Sequence, residues 1–291
     1  MSGGVIQILL YNIRIMLVDG NNFISHFLKN KKPFAAGKIG VTELNLLYCY
    51  ENLKNGGQLL PHLKHEVENI AGLYPYNETT VTTFAEMFLS LLPNIDLIPV
   101  WNRVIPTFEK HILDTYCKNS YRTSLTQLEP YFDDKPWTTY LKDKKVLVFS
   151  PFANSIERNY KHLDKIWNKK ITNNFELEVV KYPFAIPIST KSSHVTSDSI
   201  YRKYLDILHE KVFDVGIFGT GYTSLLYTLE CKKMGRAGIH LGGSTQILFG
   251  VKGQRWKEID RFKQIFNQYW TEPTEEERPS KLTLVEGGCY W

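Results

Sequence analysis

The sequence predicts an α/β fold: a mostly parallel sheet with helices on both faces. Three observations lead there. Segments of strand character alternate with segments of helical character, the mark of βαβ units. The run Lys145-Val146-Leu147-Val148-Phe149 is almost continuously apolar, as expected of a strand covered on both faces. Small, polar or turn-forming residues follow several strands, on the edge where a parallel sheet carries its ligands.

The elements follow in order. Val5 to Leu10 is a short apolar run followed by polar Tyr11, Asn12 and Arg14. It is too short to span a bilayer, and it lacks the charged start and cleavage site of a signal peptide. Phe34 to Gly40 reads as a buried strand ending at glycine. Val41 to Asn52 reads as a helix with Leu44, Leu47 and Tyr48 on one face. Asn77 to Leu92 is expected to be helical. Asp96 to Trp101 is a strand that Pro99 demotes to an edge or a bulge. Phe108 to Cys117 and Ser124 to Leu128 read as helical.

The second half is clearer. After the strand at 145–149, Ser150-Pro151-Phe152 is a break and Ala153 to Lys169 a helix. Phe175 to Val180 is the next strand. Ser199 to Val212 is an amphipathic helix, with Ile200, Tyr204, Ile207 and Leu208 on its apolar face. Phe213 to Phe218 is a strand, Tyr222 to Met234 a helix, Gly238 to Leu241 a strand and Lys257 to Tyr269 a late helix. Thr271 to Ser280 is rich in Pro and Glu and reads as irregular. The whole, 1–291, is expected to be one α/β domain: a more helical part at 1–143, a clearer sheet at 144–270 and an irregular tail at 271–291.

Composition sets bounds. With 291 residues, 43% hydrophobic and 22% charged, the chain can bury a sizeable core. A net charge of +5 falls short of the dense basic patch of a dedicated nucleic-acid binder, but suits an anionic small molecule. The four cysteines, Cys49, Cys117, Cys231 and Cys289, form no Cys-x-x-Cys pair. Zinc is therefore not expected, and a reducing, cytoplasmic compartment is.

Chemistry is sought at the strand ends. The candidates are Gly40-Val41-Thr42-Glu43, the turn from Ser150 through Pro151, Phe152 and Asn154 to Ser155, Gly219-Thr220-Gly221-Tyr222, and Gly242-Gly243-Ser244-Thr245-Gln246. All lie on one edge of the expected sheet, whereas Asp214 sits at the other. Gly219-Thr220-Gly221 before a helix could cradle a phosphate, or be only a tight turn. It lacks the third glycine of a dinucleotide fingerprint and the Gly-Lys-Ser/Thr of a P-loop. Ser150 or Asn154 could cap a helix or bind a diphosphate, and Arg158, one turn on, could reach an anion or stay solvated. Glu43 could act as a base, hold a metal or simply stabilise a helix N-terminus. His240, Gln246, Lys252, Arg255 and Trp256 add donors and a flat ring; His240 could equally be a hydrogen-bonded core residue. No nucleophile elbow is present.

Several runs carry a resemblance. They are Pro136-Trp137 with Leu141 through Ile156, Phe213-Asp214-Val215 through Gly221, the long Ile239-His240-Leu241-Gly242-Gly243 to Lys252-Gly253-Gln254-Arg255-Trp256, and Glu286-Gly287-Gly288-Cys289-Tyr290-Trp291. From about Phe34 onward the chain resembles a family of polysaccharide-associated proteins, itself distantly similar to glycosyltransferases of the GT-D fold. The resemblance implies a Rossmann-like sheet and a nucleotide-sugar donor. It also implies an Arg-x-Gly-Asp-Gly-Glu motif whose Asp and Glu are tied to metal and donor. Here the matching stretch is Lys38-Ile39-Gly40-Val41-Thr42-Glu43. The Glu is kept as Glu43, while Val41 stands at the Asp position, so a divalent Mn or Mg ion lacks half of its motif.

The expectation is a glycosyltransferase that moves a sugar from a UDP-sugar to a hydroxyl of a glycan acceptor. Glu43, His240 and Arg255 are the catalytic candidates, and Lys252 and Arg255 face the leaving diphosphate. Tyr222 and Trp256 are the stacking rings, and the strand-end residues bind the nucleotide. Two alternatives stand beside it: a nucleotide- or sugar-phosphate-binding protein without catalysis, and a Rossmann-like methyl or hydride transferase using the Gly219-x-Gly221 turn.

Overall fold

Strand β1 (Ile6–Leu10) pairs antiparallel with β2 (Ile13–Leu17), and the chain then enters the main sheet. In this computed structural model the described residues are 6–10, 13–101, 104–185 and 195–291. Val5, Tyr11 and Asn12 of the expected N-terminal run lie outside them. The main strands are β3 (Phe34–Gly37), β4 (Leu97–Pro99), β5 (Tyr121–Thr123), β6 (Lys145–Ser150), β7 (Glu176–Lys181), β8 (Val215–Phe218) and β9 (Ala237–His240). They form one seven-stranded sheet in the order β5-β4-β3-β9-β8-β6-β7, and every pairing is parallel.

The register places the strand ends level. Gly37 pairs with His240, His240 with Phe218, and Phe218 with Phe149. The carboxyl ends of β3, β9, β8 and β6 therefore open on one edge. Strands β4 and β5 follow β3 outward to one side, and β7 lies outside β6 on the other. Connections that diverge in this way leave a crevice at the carboxyl edge.

Period-two burial explains the layers. Phe34 and Ala36 pack into one core cluster with Val146, Val148, Ile217 and Ile239, while Ala35 faces the other side with Ile98. Leu147 and Phe149 join a further cluster with Phe218 and Tyr227. A strand with apolar side chains on both faces must be covered on both, and helices supply the cover. The helix Ser224–Lys233 lies so close to β9 that a Cβ on Gly238 would meet the Thr228 carbonyl oxygen at 2.3 Å. Only glycine permits that approach.

Several elements depart from the sequence expectation. Strand β4 is internal, not an edge: it pairs with both β3 and β5. Pro99 is its last residue, and the ladder to β5 resumes through Val100 N–H to the Thr123 carbonyl at 2.9 Å, so the missing proline donor costs little. Strand β5 itself is too short to show a pattern. The helix expected at 153–169 breaks into Ala153–Tyr160 and Leu163–Ile166 and ends where Asn168 and Lys169 take left-handed φ of 49° and 65°. The late helix expected at 257–269 is replaced by single turns, Gln254–Lys257 and Asp260–Lys263, with extended Ile259 between them. Here Trp256, Phe262 and Trp270 all insert into the core, and tertiary packing overrides helical propensity. The tail forms only 3-10 turns, yet it is packed: Trp291 is 6% exposed and Glu277 1%.

Candidate functional site

A cavity of about 550 Å³ opens at the carboxyl edge of the sheet. Its walls come from the turns after β3, β6, β8 and β9 and from the tail. Of the residues singled out above, Gly40, Thr42, Glu43, Ser150, Pro151, Phe152, Gly219, Thr220, Gly221, Tyr222, His240, Gly242, Gly243, Ser244, Gln246, Arg255 and Trp256 line it. Gly221 and Gly242 hold left-handed φ of 63° and 62°, turning the chain back under the cavity at two strand ends.

Four candidates lie elsewhere. Ser155 is fully buried, and its N–H and hydroxyl both donate to Glu277 of the tail. Asn154 Nδ2 reaches Glu276 Oε2 at 3.4 Å. Arg158 donates to Thr271 Oγ1 at 2.6 Å and to the Glu272 carbonyl at 2.9 Å. Lys252 donates its N–H to the Thr271 carbonyl at 2.7 Å, with its ammonium 6.0 Å from the Phe266 ring centre. The start of the helix Ala153–Tyr160, where an anion was expected, is taken by tail carboxylates. The stacking expectation also changes. Tyr222 is buried, with its hydroxyl on the Ser197 carbonyl at 2.8 Å and its ring edge-on to Phe84. Trp256 is buried against Tyr290. The half-buried rings on the cavity are Trp101, Phe184 and Tyr290.

The charged groups gather at the ends of β3 and β9. Lys38 is half-buried, and its ammonium lies 5.2 Å from the Trp101 ring centre. Burial lowers its pKa, against the opposing pull of Glu129 and Glu43. The Glu43 carboxyl is turned back on its own helix start: a Cβ on Gly40 would lie 2.1 Å from Glu43 Oε2. Burial raises the Glu43 pKa, while backbone N–H groups and Lys38 oppose the rise. His240 is 5% exposed; burial first, and Lys38 second, depress its pKa to about 3. Its imidazole is therefore neutral near pH 7. Arg255 pairs with Glu286 and donates to the Tyr290 hydroxyl at 3.3 Å. Thr42 donates to Glu66 Oε1 at 2.8 Å.

Sequence reading missed two groups here. Lys38 stood in the quoted motif without a role, and Glu129 lies in a segment with no periodic pattern to mark it. Both line the cavity. So do Asn69, Thr245 and Gln246, whose Oδ1, Oγ1 and Oε1 are buried without a hydrogen-bond partner. Unpaired buried polar atoms are uncommon, and a ligand carrying N–H or O–H groups would satisfy them.

A divalent ion does not fit. Val41 offers no ligand oxygen; of the three cavity carboxylates, Glu43 and Glu129 lie in the field of the Lys38 ammonium and Glu286 pairs with Arg255. Among the described residues no group of three or more His, Cys, Asp or Glu is placed to hold a metal. No helix among them is long and apolar enough to cross a membrane.

Fold and site define an α/β protein with an all-parallel seven-stranded sheet, consistent with a Rossmann-like architecture, and a cavity at its carboxyl edge. No family model, curated protein or solved structure matches the chain.

Proposed function

We propose that this protein is a glycosyltransferase taking a sugar from a nucleotide-sugar, of the UDP-sugar class, to a hydroxyl of a glycan acceptor. The observation that carries the reading is the cavity itself. It brings three cationic side chains, Lys38, Arg255 and Arg261, together with the carboxylates of Glu43, Glu129 and Glu286 and with two left-handed glycine turns at the carboxyl ends of parallel strands. A diphosphate needs cations and close backbone approach, and a sugar needs hydrogen-bonding groups.

In this reading the acceptor oxygen attacks the anomeric carbon while the bond from that carbon to the diphosphate oxygen breaks. The electron pair leaves with the nucleotide, and Lys38 and Arg255 offset the negative charge that develops there. Gly242, whose Cβ position faces His240 and Lys38, lets the backbone approach the diphosphate. The unpaired acceptors Asn69 Oδ1 and Gln246 Oε1 suit ribose or sugar hydroxyls. In this reading the leaving charge falls to these cations rather than to a metal. The test is transfer from UDP-sugars, with and without a chelator. Product formation that survives the chelator supports the reading, and no transfer from any donor in the panel contradicts it.

A second reading is binding without catalysis. It is favoured by the Glu43 carboxyl, which folds back over Gly40 as a helix-start group would. Under it, nucleotide binding is retained and no turnover is seen with any acceptor.

A further inference from the structure

Besides Glu43, and Glu286 paired with Arg255, the cavity holds the carboxylate of Glu129 in a setting of its own. Glu129 follows the short helix Leu125–Leu128 and is 5% exposed. Ser244 Oγ, at the turn after β9, donates to Glu129 Oε1 at 2.6 Å. That bond spans 115 residues of sequence and fixes the carboxylate plane against the strand ends. Ser244 is held in turn by the Tyr131 hydroxyl, which donates to its carbonyl. Glu129 Oε2 has no hydrogen-bond partner among the described residues, and the residue lines the cavity beside Lys38.

We infer that Glu129 is the base that takes the proton of the acceptor hydroxyl, with Ser244 as its positioning residue. The inference rests on the glycosyltransferase reading above. The step balances within it. The acceptor O–H proton passes to Glu129 Oε2, the acceptor oxygen bonds to the anomeric carbon, and the carbon–oxygen bond to the diphosphate breaks with its electron pair on the nucleotide. Glu43 is less suited to the task, because its carboxyl is folded onto Gly40 and burial favours its protonated form. His240 is a poor proton acceptor for the same reason of burial, and its Nδ1 faces the Phe218 carbonyl at 3.5 Å. The two carboxyl groups differ in geometry: Glu43 is folded onto Gly40, whereas Glu129 is held at one oxygen by Ser244. The groups that bear electrostatically on Glu129 are Lys38 and Tyr131, with Glu43, Arg255 and His240 coupled through Lys38.

The test uses the full chain and three probes: UDP-glucose, UDP-galactose and UDP-N-acetylglucosamine, with water as acceptor. Donor binding is read by calorimetry and turnover by UDP release across pH. Glu129→Gln keeps an oxygen for the Ser244 hydroxyl but cannot take a proton. Its kcat is expected to fall a hundredfold or more, with donor Kd within about threefold of wild type and the acidic limb of the pH profile lost. Ser244→Ala is expected to lose about tenfold and keep that limb. If Glu129→Gln turns over like an active wild type, or if Glu43→Gln alone removes the acidic limb, Glu129 is not the base and the glycosyltransferase reading stands. A wild type that binds none of the probes overturns that reading and the role of Glu129 with it. Should Glu129→Gln not fold, Glu129→Asp keeps the carboxylate one methylene short. A lowered kcat with the limb intact supports the assignment, and an unchanged kcat contradicts it.

Discussion

Ser155 and Glu277 are 122 residues apart in sequence and share two hydrogen bonds: Ser155 N–H donates to Oε1 at 3.1 Å, and its hydroxyl donates to Oε2. The Thr274 N–H adds a third, to Oε2 at 3.1 Å. These bonds tie the tail to the start of the helix Ala153–Tyr160. Glu277→Ala strips the buried Ser155 N–H and hydroxyl of their acceptor, while the Thr274 N–H keeps Ser155 Oγ at 3.0 Å. It is expected to cost about 3 kcal/mol, by the usual penalty for orphaned buried donors. Urea unfolding measures it, and a loss under about 0.5 kcal/mol contradicts the role given to this pair.

Two strand-end glycines separate packing from binding. At Gly221 a Cβ would meet the Ala71 carbonyl oxygen at 2.4 Å, on top of a left-handed φ. At Gly242 the nearest atoms to a Cβ are His240 Cε1 at 3.3 Å and Lys38 Cε at 3.4 Å. Gly221→Ala is therefore expected to cost more stability, about 3 kcal/mol, than Gly242→Ala, about 1 kcal/mol. Gly242→Ala is expected to weaken nucleotide binding at least tenfold while the protein stays folded. Equal stability losses in denaturant melts would contradict this division.

His240 predicts a pH dependence. Its folded pKa, near 3, lies below that of the unfolded chain, near 6.5, so between these values the unfolded state binds more protons. The contribution is complete above about pH 6.5 and is lost as pH falls toward 3. Wild type should lose more stability over that window than His240→Gln. The comparison with the variant cancels the opposite trend from Glu43, whose raised pKa favours the protonated form. Parallel stability curves for the two proteins would place His240 in a solvated setting.

The parts of the fold that declare themselves locally were legible in the sequence. The apolar run to Phe149 and the glycines after β8 and β9 mark a parallel sheet and its carboxyl edge without reference to anything distant. Pro99 misled because a proline at the end of an internal strand reads the same as one in an edge strand. The tail is irregular as expected, but its packing was not legible: that comes from Glu277, Val285 and Trp291 meeting residues more than a hundred positions earlier. Glu129 was invisible for that reason too. Its meaning depends on Ser244 and Lys38, which only the fold brings near.

Chelation gives a further check. With Val41 in place of a ligand, Lys38 beside Glu43 and Glu129, and Glu286 paired with Arg255, nucleotide affinity is expected to be the same with and without a chelator, within about twofold. Calorimetric titration of UDP in both buffers measures it. A tenfold loss in chelator would reveal a metal site that the described residues do not show.

The central claim is that the cavity binds a nucleotide-sugar through Lys38. Thermal unfolding of wild type and Lys38→Met, each with UDP and the same UDP-sugars, tests it most directly. Wild type with ligand at about a hundred times its Kd should gain ~2.7 kcal/mol of stability. Lys38→Met should keep the fold and lose most of that gain. A wild type whose melting temperature moves with none of these ligands, or a variant stabilised as fully as wild type, contradicts the account.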